Sequence, residues 1–133
     1  MIDQWDPSLP TTNFPDSALL QRIAEQSKVL RLQGKDALTL TAEELQQGAS
    51  WIQQSEEIWL NTIPTLSDAT LIDLAFFYTQ AEMTLSGFQA KAKNPAIWIF
   101  RYLRQMKRLP DKAIIRELKA LTDNRFIPYG SVL

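Results

Sequence analysis

Two glutamates and a tyrosine fall at positions where the surrounding pattern asks for apolar side chains. On a helical wheel of about 100° per residue, Glu56 sits near the centre of one apolar face and Glu82 near the centre of another, one turn after Tyr78. Two carboxylates facing each other in apolar surroundings would make a proton-sharing acid pair or half of a carboxylate metal site. The alternative is structural: each acid caps an edge of a bundle and pairs with an arginine or a tyrosine hydroxyl, because buried acids persist only when they are satisfied. Composition favours the structural reading, since di-metal bundles usually supply histidines beside their glutamates and this chain has none.

The absence of histidine and cysteine excludes a good deal more. Ser-His-Asp triads, Cys-His dyads, His-Glu-x-x-His zinc sites, thiol redox chemistry, disulfides and cysteine-ligated metals all need residues that are missing. Ser17, Ser27, Ser50, Ser55, Ser67 and Ser86 have no nucleophile-elbow context, the four glycines form no phosphate loop, and no Walker lysine exists. No metal and no cofactor is expected, and catalysis is disfavoured without being excluded.

A second constellation is electrostatic. Residues 1–89 carry four Lys or Arg against twelve Asp or Glu, and residues 90–133 carry ten against three, so balances of −8 and +7 hide inside a net charge of −1. In the fourth predicted helix Arg101, Arg104 and Arg108 fall within about 60° of one another, opposite an expected core face of Trp98, Ile99, Tyr102, Leu103, Met106 and Leu109. Ile97 and Phe100 lie on or near that arginine stripe. Lys112, Arg116 and Lys119 repeat the pattern on the fifth helix, while Lys91 and Lys93 precede the fourth. A basic stripe with embedded apolar side chains suits an acidic partner or unstacked bases. The pattern suits an internal complement better, with the basic helices lying on acidic ones and the N-terminal arm or the C-terminal tail covering Ile97 and Phe100.

The elements that must position these groups read as helices throughout. Pro7, Pro10 and Pro15 make residues 1–15 an extended arm. A first helix runs from Asp16 to Gln33, with Gly34 as a left-handed stop. Thr41 and Glu44 form a capping box for a second helix that extends to about Ile63 before Pro64. Trp51 and Ile58 fall on a secondary face of that helix, where a contact with another chain is expected. Ser67 or Thr65 caps a third helix to about Ser86, apolar on two faces and therefore central. Asn94-Pro95 opens a fourth helix to about Leu109, a fifth follows Pro110-Asp111, and residues 124–133 read as a tail. The expected fold is an all-α, single-domain bundle of four to five helices spanning 1–133.

No run approaches the roughly 20 apolar residues of a bilayer span, and the first residues lack the regions of a signal peptide. No membrane partner and a cytoplasmic location are expected. The first functional reading is a non-enzymatic intracellular interaction or regulatory accessory protein. It docks an acidic protein partner, or a second copy of itself, through the basic C-terminal helices. The alternatives are a nucleic-acid-binding helical domain using Lys91, Lys93, Arg101, Arg104, Arg108, Lys112, Arg116 and Lys119, and a small-ligand-binding or enzymatic bundle using Glu56, Glu82 and Tyr78.

Overall fold

The structure, a computed structural model, describes residues 14–130, so the expected arm falls almost wholly outside the described residues, as do the last three positions of the expected tail. Every regular element among the described residues is helical, and no helix there is long and apolar enough to cross a membrane. The protein is an all-α bundle arranged around one central helix.

That helix is α5, Asp68–Thr84, opened by Ser67, whose hydroxyl accepts from the Thr70 N–H. Leu71, Leu74, Ala75, Phe76, Phe77, Tyr78 and Ala81 are all buried. A helix apolar on every side has no face to give to water and must be wrapped by others. Helices α1 (Ser17–Glu25), α2 (Ser27–Gln33) and α6 (Pro95–Gln105) do the wrapping.

Both long helices expected before α5 are interrupted. Residues 16–33 make α1 and α2, parted at Gln26, whose N–H bonds back to the Ile23 carbonyl (3.0 Å) and whose side-chain amide oxygen accepts from the Thr39 N–H (2.9 Å). Helix α3, Ala42–Ser50, begins on the expected Thr41–Glu44 capping box but stops at Trp51. A 3-10 turn (Trp51–Gln53) follows, then the single turn α4 (Glu56–Trp59), capped by Ser55, and a second 3-10 turn at Ile63–Thr65. The interruption resets the helical phase. Trp51, Ile52, Trp59 and Ile63 can therefore all reach the core, whereas one continuous helix would have turned Trp51 away; Trp51 is fully buried and takes no part in any surface contact.

Gly48 lets α3 approach closely, since a Cβ there would lie 3.0 Å from Ile23 Cδ1. The Tyr78 hydroxyl donates to the Gly48 carbonyl at 2.7 Å, and Trp59 meets Tyr78 edge-on with ring centroids 5.7 Å apart. Helix α6 starts on Asn94-Pro95 as expected. It ends at Gln105, four residues before the expected Leu109: Lys107 adopts φ 58°, and the Arg108 and Lys107 N–H groups bond to the Leu103 and Arg104 carbonyls (2.8 and 3.1 Å). This Schellman turn usually carries glycine, so nothing in the sequence announced it. Met106 consequently stands exposed instead of joining the core face. Helix α7, Lys112–Ala120, is capped by Asp111.

Candidate functional site

The acids and the tyrosine singled out by the sequence do not converge on one another. Tyr78 is fully buried, and its hydroxyl donates to the Gly48 carbonyl; burial pushes its phenol far above the ordinary range, so it stays a neutral donor. Glu82, at the last turn of α5, accepts four hydrogen bonds. The Ala90 and Lys91 N–H groups reach Oε2 (3.0 and 2.6 Å), and the Asn94 and Asn124 amides reach Oε1 (2.9 and 2.8 Å). Partial burial alone would raise this carboxyl; the bonds from Lys91, Ala90, Asn124 and Asn94 outweigh it and hold the acid below the usual carboxylate range. An acid with every lone pair engaged by the fold has none left to bind a metal or move a proton. Among the described residues no group of three or more acidic side chains gathers as a metal site.

Glu56 takes part in a different knot. Its Oε1 accepts from Arg101 Nη1 at 2.9 Å, both side chains about one-third exposed, while Arg101 Nε donates to the Tyr129 carbonyl at 2.8 Å. One guanidinium thus ties α4, α6 and the segment Asn124–Gly130. That segment is the expected tail, yet it is folded onto the body: Ile127 and Pro128 are buried, the Ile127–Pro128 peptide is cis, and the Gly130 N–H bonds to the Phe126 carbonyl. Gly130 has φ 93°, and a Cβ there would come within 3.2 Å of Arg101 Cζ and 3.4 Å of Ile97 Cγ2. Gly130→Ala is expected to cost about 1–2 kcal/mol through backbone strain and the displaced arginine. Thermal melting monitored by circular dichroism checks it; an unchanged midpoint would show the segment to be loosely held.

The arginine stripe is largely engaged by the chain itself. Besides Arg101, Arg104 stacks over the Tyr129 ring with its guanidinium carbon 4.2 Å from the centroid. Arg108 bonds the Tyr102 hydroxyl at 3.2 Å and Asp68 at 3.0 Å, both of which raise its already high pKa. Ile97 and Phe100, expected on or near this stripe, are instead fully buried. Gly130 lies against Ile97. The wheel puts Ile97 and Phe100 with the arginines because they share a flank of α6; the folded C-terminal segment covers Ile97 on that flank, and Phe100 joins the core. The expected core residues Trp98 and Tyr102 are only half-buried in exchange.

Lys91 and Lys93, on a short 3-10 turn before α6, are exposed. Lys112, Arg116 and Lys119 are exposed along α7, beside the exposed Arg125, a cation not among the candidates drawn from the sequence. None of the last four is in an ion pair among the described residues; the pairs there are Arg22–Glu44, Arg31–Glu117, Arg101–Glu56 and Arg108–Asp68. Asn124 was also missed. Its signal was present as Asp123-Asn124 after the end of α7, where asparagine favours turns; here its amide binds Glu82 and the Lys91 carbonyl while its oxygen accepts from the Phe126 N–H. No protein-family model, curated protein or solved structure matches the chain.

Proposed function

We propose that this chain is a non-enzymatic, intracellular interaction protein that docks an acidic protein partner through α7 and the segment after it. The observation that supports this most is the contrast between two sets of cations. Arg101 and Arg108 are paired with acids of their own chain and Arg104 lies over the Tyr129 ring, while Lys112, Arg116, Lys119 and Arg125 stand exposed and outside every ion pair of the described residues. Unneutralised like charges on one face repel one another and are relieved by an opposite surface. Of the acids that a catalytic reading would need, Glu82 accepts four hydrogen bonds and Glu56 is paired with Arg101. A protein partner is favoured over nucleic acid because Tyr129, an aromatic that lines the groove beside Lys119 and Arg125, already carries Arg104 on its ring, which takes a face from base stacking.

Reversing Lys112, Arg116 and Lys119 to Glu is expected to abolish enrichment of the partner that wild type captures, while moving the melting midpoint by only a few degrees, since exposed charges contribute roughly 0–1 kcal/mol each. Quantitative affinity purification of both proteins at about 150 mM salt measures this, at a screening length near 8 Å. Identical enrichment would remove the reading. So would wild-type binding to DNA or RNA at that salt with log affinity falling by about 0.7–0.9 per phosphate against log salt.

A further inference from the structure

Between α7 and the folded C-terminal segment runs a groove of about 230 Å³. Ile115 and Lys119 form its helical wall, and Arg125, Ile127, Pro128 and Tyr129 form the other. It is smaller than the roughly 300–1,000 Å³ expected of a small-molecule or cofactor site, and suits one inserted side chain. Its lining is apolar apart from two cations, and no acid contributes to it. On the α7 wheel Lys112 falls within about 20° of Lys119 and Arg116 within about 60°, so the basic face of the helix runs up to the groove along one side. Leu118, buried, and Ile114, half-buried, lie on the other. Behind Tyr129, Arg104 adds a further positive charge.

From this geometry we infer that the groove is a peptide-recognition pocket that takes one aromatic or large aliphatic side chain from an acidic segment of the partner. The side chain enters between Ile115 and the Pro128–Tyr129 wall, and carboxylates flanking it in sequence meet Lys119 and Arg125. Apolar contact supplies the anchor and charge supplies orientation, the division of labour usual at interface hot spots. The walls are held from behind, since Arg101 clamps the Tyr129 carbonyl and Glu82 holds Asn124. The groove is therefore built before any ligand arrives, which lowers the ordering cost of binding. This inference rests on the reading that α7 docks an acidic protein, and adds that recognition requires an inserted side chain.

Two labelled probes separate the two readings by fluorescence anisotropy at about 150 mM salt: an acidic peptide with one central phenylalanine, and the same peptide with serine in its place. Wild type is expected to bind the phenylalanine peptide at least about 10-fold more tightly, and Ile115→Gln to erase that preference, so that the two peptides bind it alike. Equal binding of both peptides would overturn the pocket and leave the charged face standing; binding of neither, with single-stranded RNA bound instead, would overturn both. A concentration-dependent dimer abolished by Ile115→Gln would also overturn it, because the occupant would be a second copy of this chain. If Ile115→Gln fails to fold, amide chemical-shift changes in wild type decide: they must centre on Ile115, Lys119, Arg125 and Tyr129 with the phenylalanine peptide, and a spread along α7 alone refutes the pocket.

Discussion

Trp59→Ala is expected to destabilise the protein by about 3–5 kcal/mol, the range for truncating a fully buried large aromatic, and so to lower the melting midpoint by roughly 10–20 °C for a chain of this size. The segment from Trp51 to Thr65 has little regular structure of its own, only two 3-10 turns and the single helical turn α4. Side chains hold it in place. Trp59 is fully buried, its indole N–H donates to the Trp51 carbonyl at 3.0 Å, and its ring meets Tyr78 edge-on. Truncation leaves a large void against α5 and removes one of the two bonds to the Trp51 carbonyl, which keeps only the Gln54 N–H. Trp59→Phe keeps most of the ring and loses the hydrogen bond, so it should cost about 1–2 kcal/mol. Calorimetric melts of wild type and both variants decide the matter. A shift below about 3 °C for the alanine variant would mean that this segment is not part of the cooperative core.

The sequence carried the identity of most elements and few of their ends. Asp16, Thr41, Ser67, Asn94 and Asp111 all cap helices as their types demand, because a cap is a local bargain between one side chain and one turn. The two-sided apolar pattern of residues 68–84 announced the central helix. The breaks at Gln26 and Trp51 were not announced, since neither glycine nor proline marks them and both serve tertiary packing. Ser55 followed by Glu56 and Glu57 was in hindsight a second N-terminal signal, masked by a hydrophobic period that can be drawn through it.

The site was legible in its chemistry and not in its geometry. Charge counting placed the cations in the last third of the chain, but which ones the chain itself engages depends on long-range partners: Glu56 for Arg101, Asp68 for Arg108, the Tyr129 ring for Arg104. Lys112, Arg116 and Lys119 stay exposed because the buried stripe of α7 lies on its other side. The groove beside them exists only once residues 124–130 fold back, and a segment with one buried proline and no helical period reads as a tail until its partners are seen.

Glu82→Gln tests the joint on which that fold-back depends. The carboxylate receives two backbone N–H groups on one oxygen and two asparagine amides on the other. Glutamine keeps the shape but offers one acceptor oxygen, and its amide must then face donors. At neutral pH the loss is expected to be about 2 kcal/mol, toward the lower part of the range for bonds to a charged group because the side chain is only partly buried. The direction with pH follows from the depressed pKa. A carboxyl held below its unfolded value adds stability that is fully present above the unfolded pKa, near 4.3, and is lost as pH falls through the folded value. The gap between wild type and variant should therefore be widest at neutral pH and close progressively below about pH 4. Melts across pH 3–7 check this, and a gap independent of pH would mean that the carboxylate's charge contributes nothing. Because Asn124 anchors the segment that walls the groove, Glu82→Gln should also speed amide hydrogen exchange at Phe126 and Ile127 while leaving Leu71–Tyr78 protected. An acid that reads in the sequence as a candidate for catalysis then acts at a distance, by keeping the segment that walls the groove folded.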